Sequence, residues 1–187
     1  MESLILKYIL KKYFIQYKTF LVFIGTFFAA YIALTVVYKL YLNSFEKNAV
    51  DGLTNLVSIQ VFQLMNLFNP EVLIFKNAFD PYLEVWYNQK YVVRIVEGCN
   101  AVSVIILFVS FVVAFSGKFK TTFIFILCGI LFIHVFNVIR IASLIALLFY
   151  FPEQEHLLHG VLFPLIIYGL VFILWIIWVN KFSKYAR

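Results

Sequence analysis

The sequence predicts an all-α polytopic membrane protein, a four-span helical bundle with an extracytoplasmic insertion. Three observations predict it. The 187-residue chain is 64% hydrophobic and only 13% charged, with a mean hydropathy of +0.97. A soluble domain is roughly half apolar and about a quarter charged, so this excess cannot be hidden inside a water-soluble fold of this size. The apolar residues gather into four stretches, and their Lys and Arg flanks alternate in a way that fixes one orientation. The composition excludes a disordered segment, a collagen-like chain and a disulfide-rich secreted module. Twenty-three Phe and 12 Tyr suit a lipid-facing surface with aromatic belts.

A helix needs about 20 apolar residues to cross about 30 Å of hydrocarbon. The predicted spans are residues 19–42, 100–116, 121–151 and 157–179, the second short and the third long. Lys39 lies near the end of the first, where its stem can snorkel. Ser116-Gly117 with Lys118 and Lys120 turns the chain between spans two and three, and Phe151-Pro152-Glu153-Gln154-Glu155 turns it between three and four. Lys7, Lys11, Lys12 and Lys18 precede span one, Lys118 and Lys120 follow span two, and Lys181, Lys184 and Arg187 follow span four. Four spans put all three groups on one side, the cytoplasm by the positive-inside rule. The carboxylates of Glu46, Asp51, Glu71, Asp80, Glu84, Glu97, Glu153 and Glu155 then fall on the other. Both termini of the multi-pass chain are expected in the cytoplasm, with the first span read as a retained anchor.

The outer side holds one large insertion, residues 43–98, too interleaved with the bundle to be a second domain; residues 1–187 read as one membrane-embedded unit. Asp51-Gly52 opens a stretch, residues 51–68, with Leu53, Leu56, Val57, Gln60, Val61, Leu64 and Leu67 at near-helical spacing. That pattern predicts an amphipathic helix on or against the membrane surface, ended by Asn69-Pro70. Residues 82–87 and 91–96 are rich in aromatic and β-branched side chains and flank Asn88-Gln89-Lys90, which predicts a β-hairpin.

Ionisable groups inside a span are costly and mark pathways or chemistry. Arg140 lies within span three, ten residues before Tyr150, about 15 Å along a helix. Its guanidinium cannot escape charge by deprotonation, so it must face protein or a wet cavity. Asn137, three residues earlier, shares its face and can orient it or donate to a substrate carbonyl. Cys99, in Val96-Glu97-Gly98-Cys99-Asn100, sits where the insertion enters span two, at a helix start that favours a thiolate. Cys128 has no such setting and reads as packing; two cysteines make no disulfide framework. His156 and His159 open span four on the same outer side, either one a candidate general base. His134, deeper in span three, reads as a hydrogen-bonded packing residue beside Asn137. No ligand set for a metal is present, and neither metal nor cofactor is expected. A nucleophile, a cation and a base thus converge just under the outer surface, a set suited to acyl transfer at a peptide bond. The competing readings are a non-enzymatic transporter or assembly factor, with Arg140 and Asn137 lining a polar path, and a lipid-modifying acyltransferase using the same cysteine.

Val96-Glu97-Gly98-Cys99-Asn100-Ala101, Asn137-Val138-Ile139-Arg140-Ile141 and His156-Leu157-Leu158-His159-Gly160 together resemble the exosortase/archaeosortase family, most closely its exosortase F-like subtype. The resemblance covers residues 91–180. It implies a membrane-embedded cysteine protease or transpeptidase of the bacterial cytoplasmic membrane, with a periplasm-facing active site. Its substrates would be exported proteins carrying a C-terminal motif, a transmembrane helix and a basic tail. Nucleic acid is no partner in such a scheme. Carried over, Cys99 is the nucleophile, Arg140 the oxyanion or carbonyl ligand, and His156, four residues before Gly160, the base, with His159 in reserve; Asn137 and Asn100 orient the substrate. Many members have Cys-Ser-Gly where this chain has Cys99-Asn100-Ala101, and the chain is shorter than the larger members.

Overall fold

The computed structural model describes residue 13 and residues 15–115 and 117–183. Lys7, Lys11, Lys12, Ser116, Lys184 and Arg187, which entered the charge pattern and the first turn above, lie outside the described residues. Helix α1 (Lys18–Leu42) buries none of its residues, as expected of an apolar rod that lipid surrounds on most sides. It packs along α3 (Val102–Ala114), where Phe23 meets Phe111 of that helix and Phe115 just past its end at ring-centroid distances of 5.9 and 4.6 Å.

The insertion begins with α2 (Gly52–Asn66), whose start is fixed by Asp51: its Oδ1 accepts from the N–H groups of Leu53 and Thr54, both at 3.0 Å, a side-chain N-cap. The helix buries Thr54, Val57, Ser58, Val61 and Met65. Val57, Val61 and Met65 join one core with Val72, Leu83, Val85, Tyr87 and Ile95 of the sheet and Val138, Ile141 and Ile145 of the long helix α4 (Phe119–Tyr150). Leu53, Leu56 and Leu67, part of the same apolar pattern, stay exposed.

The expected hairpin is present as β2 (Leu83–Tyr87) and β3 (Lys90–Ile95). Its turn is the pair Asn88 and Gln89, with φ of 49° and 61°, the positive-φ geometry that matches strand twist in two-residue hairpins. A third strand, β1 (Val72–Lys76), was not anticipated. It pairs antiparallel with β2, from Val72 opposite Tyr87 to Lys76 opposite Leu83, giving the order β1-β2-β3. Val-Leu-Ile-Phe is a continuous apolar run without alternation, so its strand character shows only in the sheet.

Chain leaves β3 into a tight 3-10 turn, Glu97–Asn100. Ala101 follows in the left-handed region (φ 60°, ψ 10°) and starts α3 (Val102–Ala114). That backbone break sets the start of the helix, which has 13 residues, about 20 Å, where residues 100–116 were expected. Helix α4 (Phe119–Tyr150) has 32 residues, about 48 Å. The last helical stretch, Pro152–Phe182, has 31 residues and two wide turns. Leu158–Leu162 is π-helical and runs into α5 (Phe163–Ile177). Pro164 sits in the first turn of α5; it has no N–H for the carbonyl four residues back and its ring crowds that carbonyl, which accounts for the widening. A second π turn, Trp178–Phe182, closes the stretch.

Among the described residues, α1, α4 and Pro152–Phe182 are long and apolar enough to cross a membrane, while α3 is a shorter apolar helix. The protein is therefore mostly helical, with three candidate spans and a small antiparallel sheet. At one end of the bundle, Trp178 Nε1 donates to the Phe115 carbonyl at 2.9 Å and Gly117 bridges Ser183. Between the ends, Phe108, Val112, Ile133, Ile167 and Val171 pack as one core. The Phe108 ring lies so close over Gly129 that a Cβ there would overlap it. The sheet and α2 cap the other end.

Candidate active site

The Glu97–Asn100 turn carries Cys99 at the sheet end of the bundle, and hydrogen bonds reach it from several elements. From α4, Asn137 Nδ2 donates to the Cys99 carbonyl at 2.7 Å, while Asn137 Oδ1 accepts from Arg140 Nη1 at 3.0 Å. Asn137 is completely buried, and a buried amide is expected to have partners for both ends. It therefore links the cysteine's own peptide unit to the guanidinium one turn on. Arg140 Nε is buried and unpaired, one of two such side-chain atoms among the described residues, the other being the Trp175 indole nitrogen.

On the far side of the turn, Tyr38 of α1 donates its hydroxyl to Glu97 Oε1 at 2.5 Å and accepts from Asn100 Nδ2 at 2.7 Å. The same Nδ2 reaches Thr54 Oγ1 of α2 at 3.2 Å, and Asn100 Oδ1 accepts from the Val102 N–H at 3.0 Å. Asn100, at 3% exposure, thus caps α3 and ties the turn to α1 and α2. Cys99 is half-buried with a free thiol, and its N–H donates to the Val96 carbonyl at 2.8 Å.

The structure brings Cys99, Asn100, Asn137 and Arg140 together. It does not draw the histidines into that chain. His156 and His159 are exposed and have no hydrogen bond among the described residues. They stand on the same end of the molecule: Leu158, between them, packs with Leu144 and Leu148 of α4, against Val92 and Val93 of β3. Glu155, beside His156, acts on the Tyr91 phenol of β3. That phenol is raised above its ordinary value chiefly by burial, with the Arg94 guanidinium opposing. His159 falls within the π turn that Pro164 widens. His134 is hydrogen-bonded as expected, but to Gln60 of α2 at 2.7 Å and not to Asn137. Cys128 does not pack in the core; it is exposed and lines an apolar groove of about 400 Å³ with Phe125, Gly129, Phe132 and residues of α5.

Sequence reasoning missed Tyr38 and Thr54, and took Glu97 only as a topology charge. A tyrosine one turn before the end of an apolar span was a usable signal for Tyr38, since hydroxyls there need a partner. No group of His, Cys, Asp and Glu suited to a metal occurs among the described residues. Compared with protein-family models, curated proteins and solved structures, the chain matches none.

Proposed function

We propose that the protein is an intramembrane cysteine peptidase or transpeptidase that cleaves C-terminal sorting signals of exported proteins through a thioester, as its resemblance to the exosortase/archaeosortase family implies. The observation that carries this reading is the Cys99–Asn137–Arg140 chain: a half-buried thiol, a fully buried amide holding its peptide carbonyl, and a guanidinium with a buried, unpaired Nε. In this reading the Cys99 sulfur attacks the scissile carbonyl, Arg140 donates to the developing oxyanion, and His156 or His159 takes the thiol proton and returns it to the amine that leaves as the peptide C–N bond breaks. Water, or an amine or carrier, then attacks the thioester and frees the thiol.

Four spans, α3 included, put both termini in the cytoplasm and the sheet in the periplasm. With Lys118 and Lys120 at the inner boundary, Arg140 stands about 32 Å along α4 from Phe119, where about 30 Å of hydrocarbon ends. Tyr38, counted from Lys18, reaches about 30 Å, the same height. A substrate held by its own transmembrane helix would present its cleavage segment at fixed depth, which raises its effective concentration. Strand β3 is a sheet edge that runs directly into the Cys99 turn, so an extended segment added to it would lead towards the thiol.

The test is cleavage, in membranes, of a reporter library in which an exported domain is followed by a variable motif, a transmembrane helix and a basic tail. Cys99→Ala and Arg140→Lys should abolish processing, the latter because a point charge does not replace a planar fork, and Cys128→Ser should process normally. Full processing by the Cys99→Ala protein would remove the enzyme reading. The exposed, unpaired imidazoles favour the competing reading, a non-enzymatic transporter or assembly factor in which Arg140 and Asn137 serve a polar path; processing by no reporter would select it.

A further inference from the structure

We infer that Tyr38 is a positioning residue, and that with Glu97 and Asn100 it forms a strut through which the first membrane helix sets the placement and reactivity of the Cys99 thiol. The inference deepens the peptidase reading by naming what holds its nucleophile, and its test needs no substrate.

The phenol meets the turn at two points that straddle the cysteine. Its O–H donates to the carboxylate two residues before Cys99, and its oxygen accepts from the amide one residue after it. The donation to Glu97, at 2.5 Å, has the length of a charge-assisted O–H···O⁻ bond, roughly twice as strong as a neutral one. The acceptor bond engages Asn100, which is almost completely buried and which also grips Thr54 and the first N–H of α3. A four-residue 3-10 turn followed by a left-handed alanine has little regular hydrogen bonding of its own. Its placement therefore depends on side chains. Asn137 holds it from α4, through the Cys99 carbonyl; Tyr38 holds it from α1. Losing Asn137 frees Arg140 as well, whereas losing the Tyr38 hydroxyl frees only the turn. Tyr38 lies outside residues 91–180, the part of the chain that carries the family resemblance.

The same helix supplies a control. Tyr41, one turn further on, accepts from the Leu53 N–H at 3.2 Å and so steadies the start of α2 without touching the cysteine turn. In a Cys128→Ser background, the full-length protein in membranes would be alkylated at Cys99 with iodoacetamide and the rate followed by mass spectrometry. Tyr38→Phe should speed alkylation about fivefold, the equivalent of one modest buried hydrogen bond, because the turn can then open. Glu97→Ala should do the same, and Glu97→Gln, which keeps an acceptor oxygen for the phenol, should stay within about twofold of the parent. The double variant Tyr38→Phe/Glu97→Ala should remain at about fivefold and not reach about 25-fold, since both changes cut one strut. Tyr41→Phe should stay within about twofold. Parent-like rates in both Tyr38→Phe and Glu97→Ala, multiplicative effects in the double variant, or an equal effect of Tyr41→Phe would each overturn the inference. Failure here leaves the cleavage assay standing, and failure of that assay leaves the strut standing.

Discussion

Helices α3 and α4 are neighbours in sequence and pack against each other, yet one has 13 residues and the other 32. The short one is held by rings: Phe108 seated on Gly129, Phe111 stacked on Trp175 at 4.2 Å. The long one passes from that apolar packing to a second environment, where Ile141 and Ile145 meet the sheet and α2. Because α3 begins only at Val102, the polar turn in front of it lies beside α4, where Asn137 reaches the Cys99 carbonyl and keeps Arg140 as its partner one turn on. The late start of one helix and the length of the other together place the site.

The largest expected effect breaks that junction on the α4 side. Asn137→Leu removes both hydrogen bonds at once and leaves the Cys99 carbonyl and the guanidinium unsatisfied in a buried place. It should lower stability by about 2–4 kcal/mol, read as loss of the folded fraction on mild heating in detergent, and should bring reporter cleavage to background. Next is the apolar half. Gly129→Val drives a branched side chain into the Phe108 ring and should cost about 1–3 kcal/mol by overpacking. The truncation Phe108→Ala in the same chain should recover part of that loss, and a heat-inactivation series would show it. A smaller effect is expected at His134→Leu, which leaves Gln60 of α2 without its partner and should cost about 1–2 kcal/mol while reporter cleavage persists. The histidines at the sheet end sharpen the comparison more finely: if His156 is the base, His156→Ala should slow cleavage about 100-fold or more while His159→Ala stays near the parent, and the reverse order would assign the role to His159. The smallest effect is Leu73→Thr on the exposed side of β1, within about 0.5 kcal/mol and without change in cleavage.

Much of the bundle was legible because long apolar runs and breakers carry their own signal. Residues 19–42 and 121–151 foretold α1 and α4 to within a few residues, and Phe151-Pro152 marked the break before the last stretch. The aromatic and β-branched residues of 82–87 and 91–96, around Asn88-Gln89-Lys90, likewise marked β2 and β3. Three things were hidden. Strand β1 has no alternation, since its exposed Leu73 and Phe75 are as apolar as its buried Val72. The packing of α2 against the sheet was not legible, because a helix with apolar residues on two sides looks alike whether its buried side meets lipid or a sheet. The start of α3 depends on one left-handed residue, Ala101, a conformation that alanine does not announce. At the site, the Asn137–Arg140 pairing could be read from i, i+3 spacing, whereas the Tyr38–Glu97 contact joins residues 59 positions apart and leaves no local trace.

The most direct measurement is the mass of the Cys99-containing peptide after rapid acid quench of membranes that hold the protein and a cleavable reporter. The expected result is a fraction of Cys99 carrying the reporter's exported portion through a hydroxylamine-sensitive thioester, absent in Cys99→Ala. Steady cleavage with Cys99 unmodified at every time point, and undiminished in Cys99→Ala, would contradict the account.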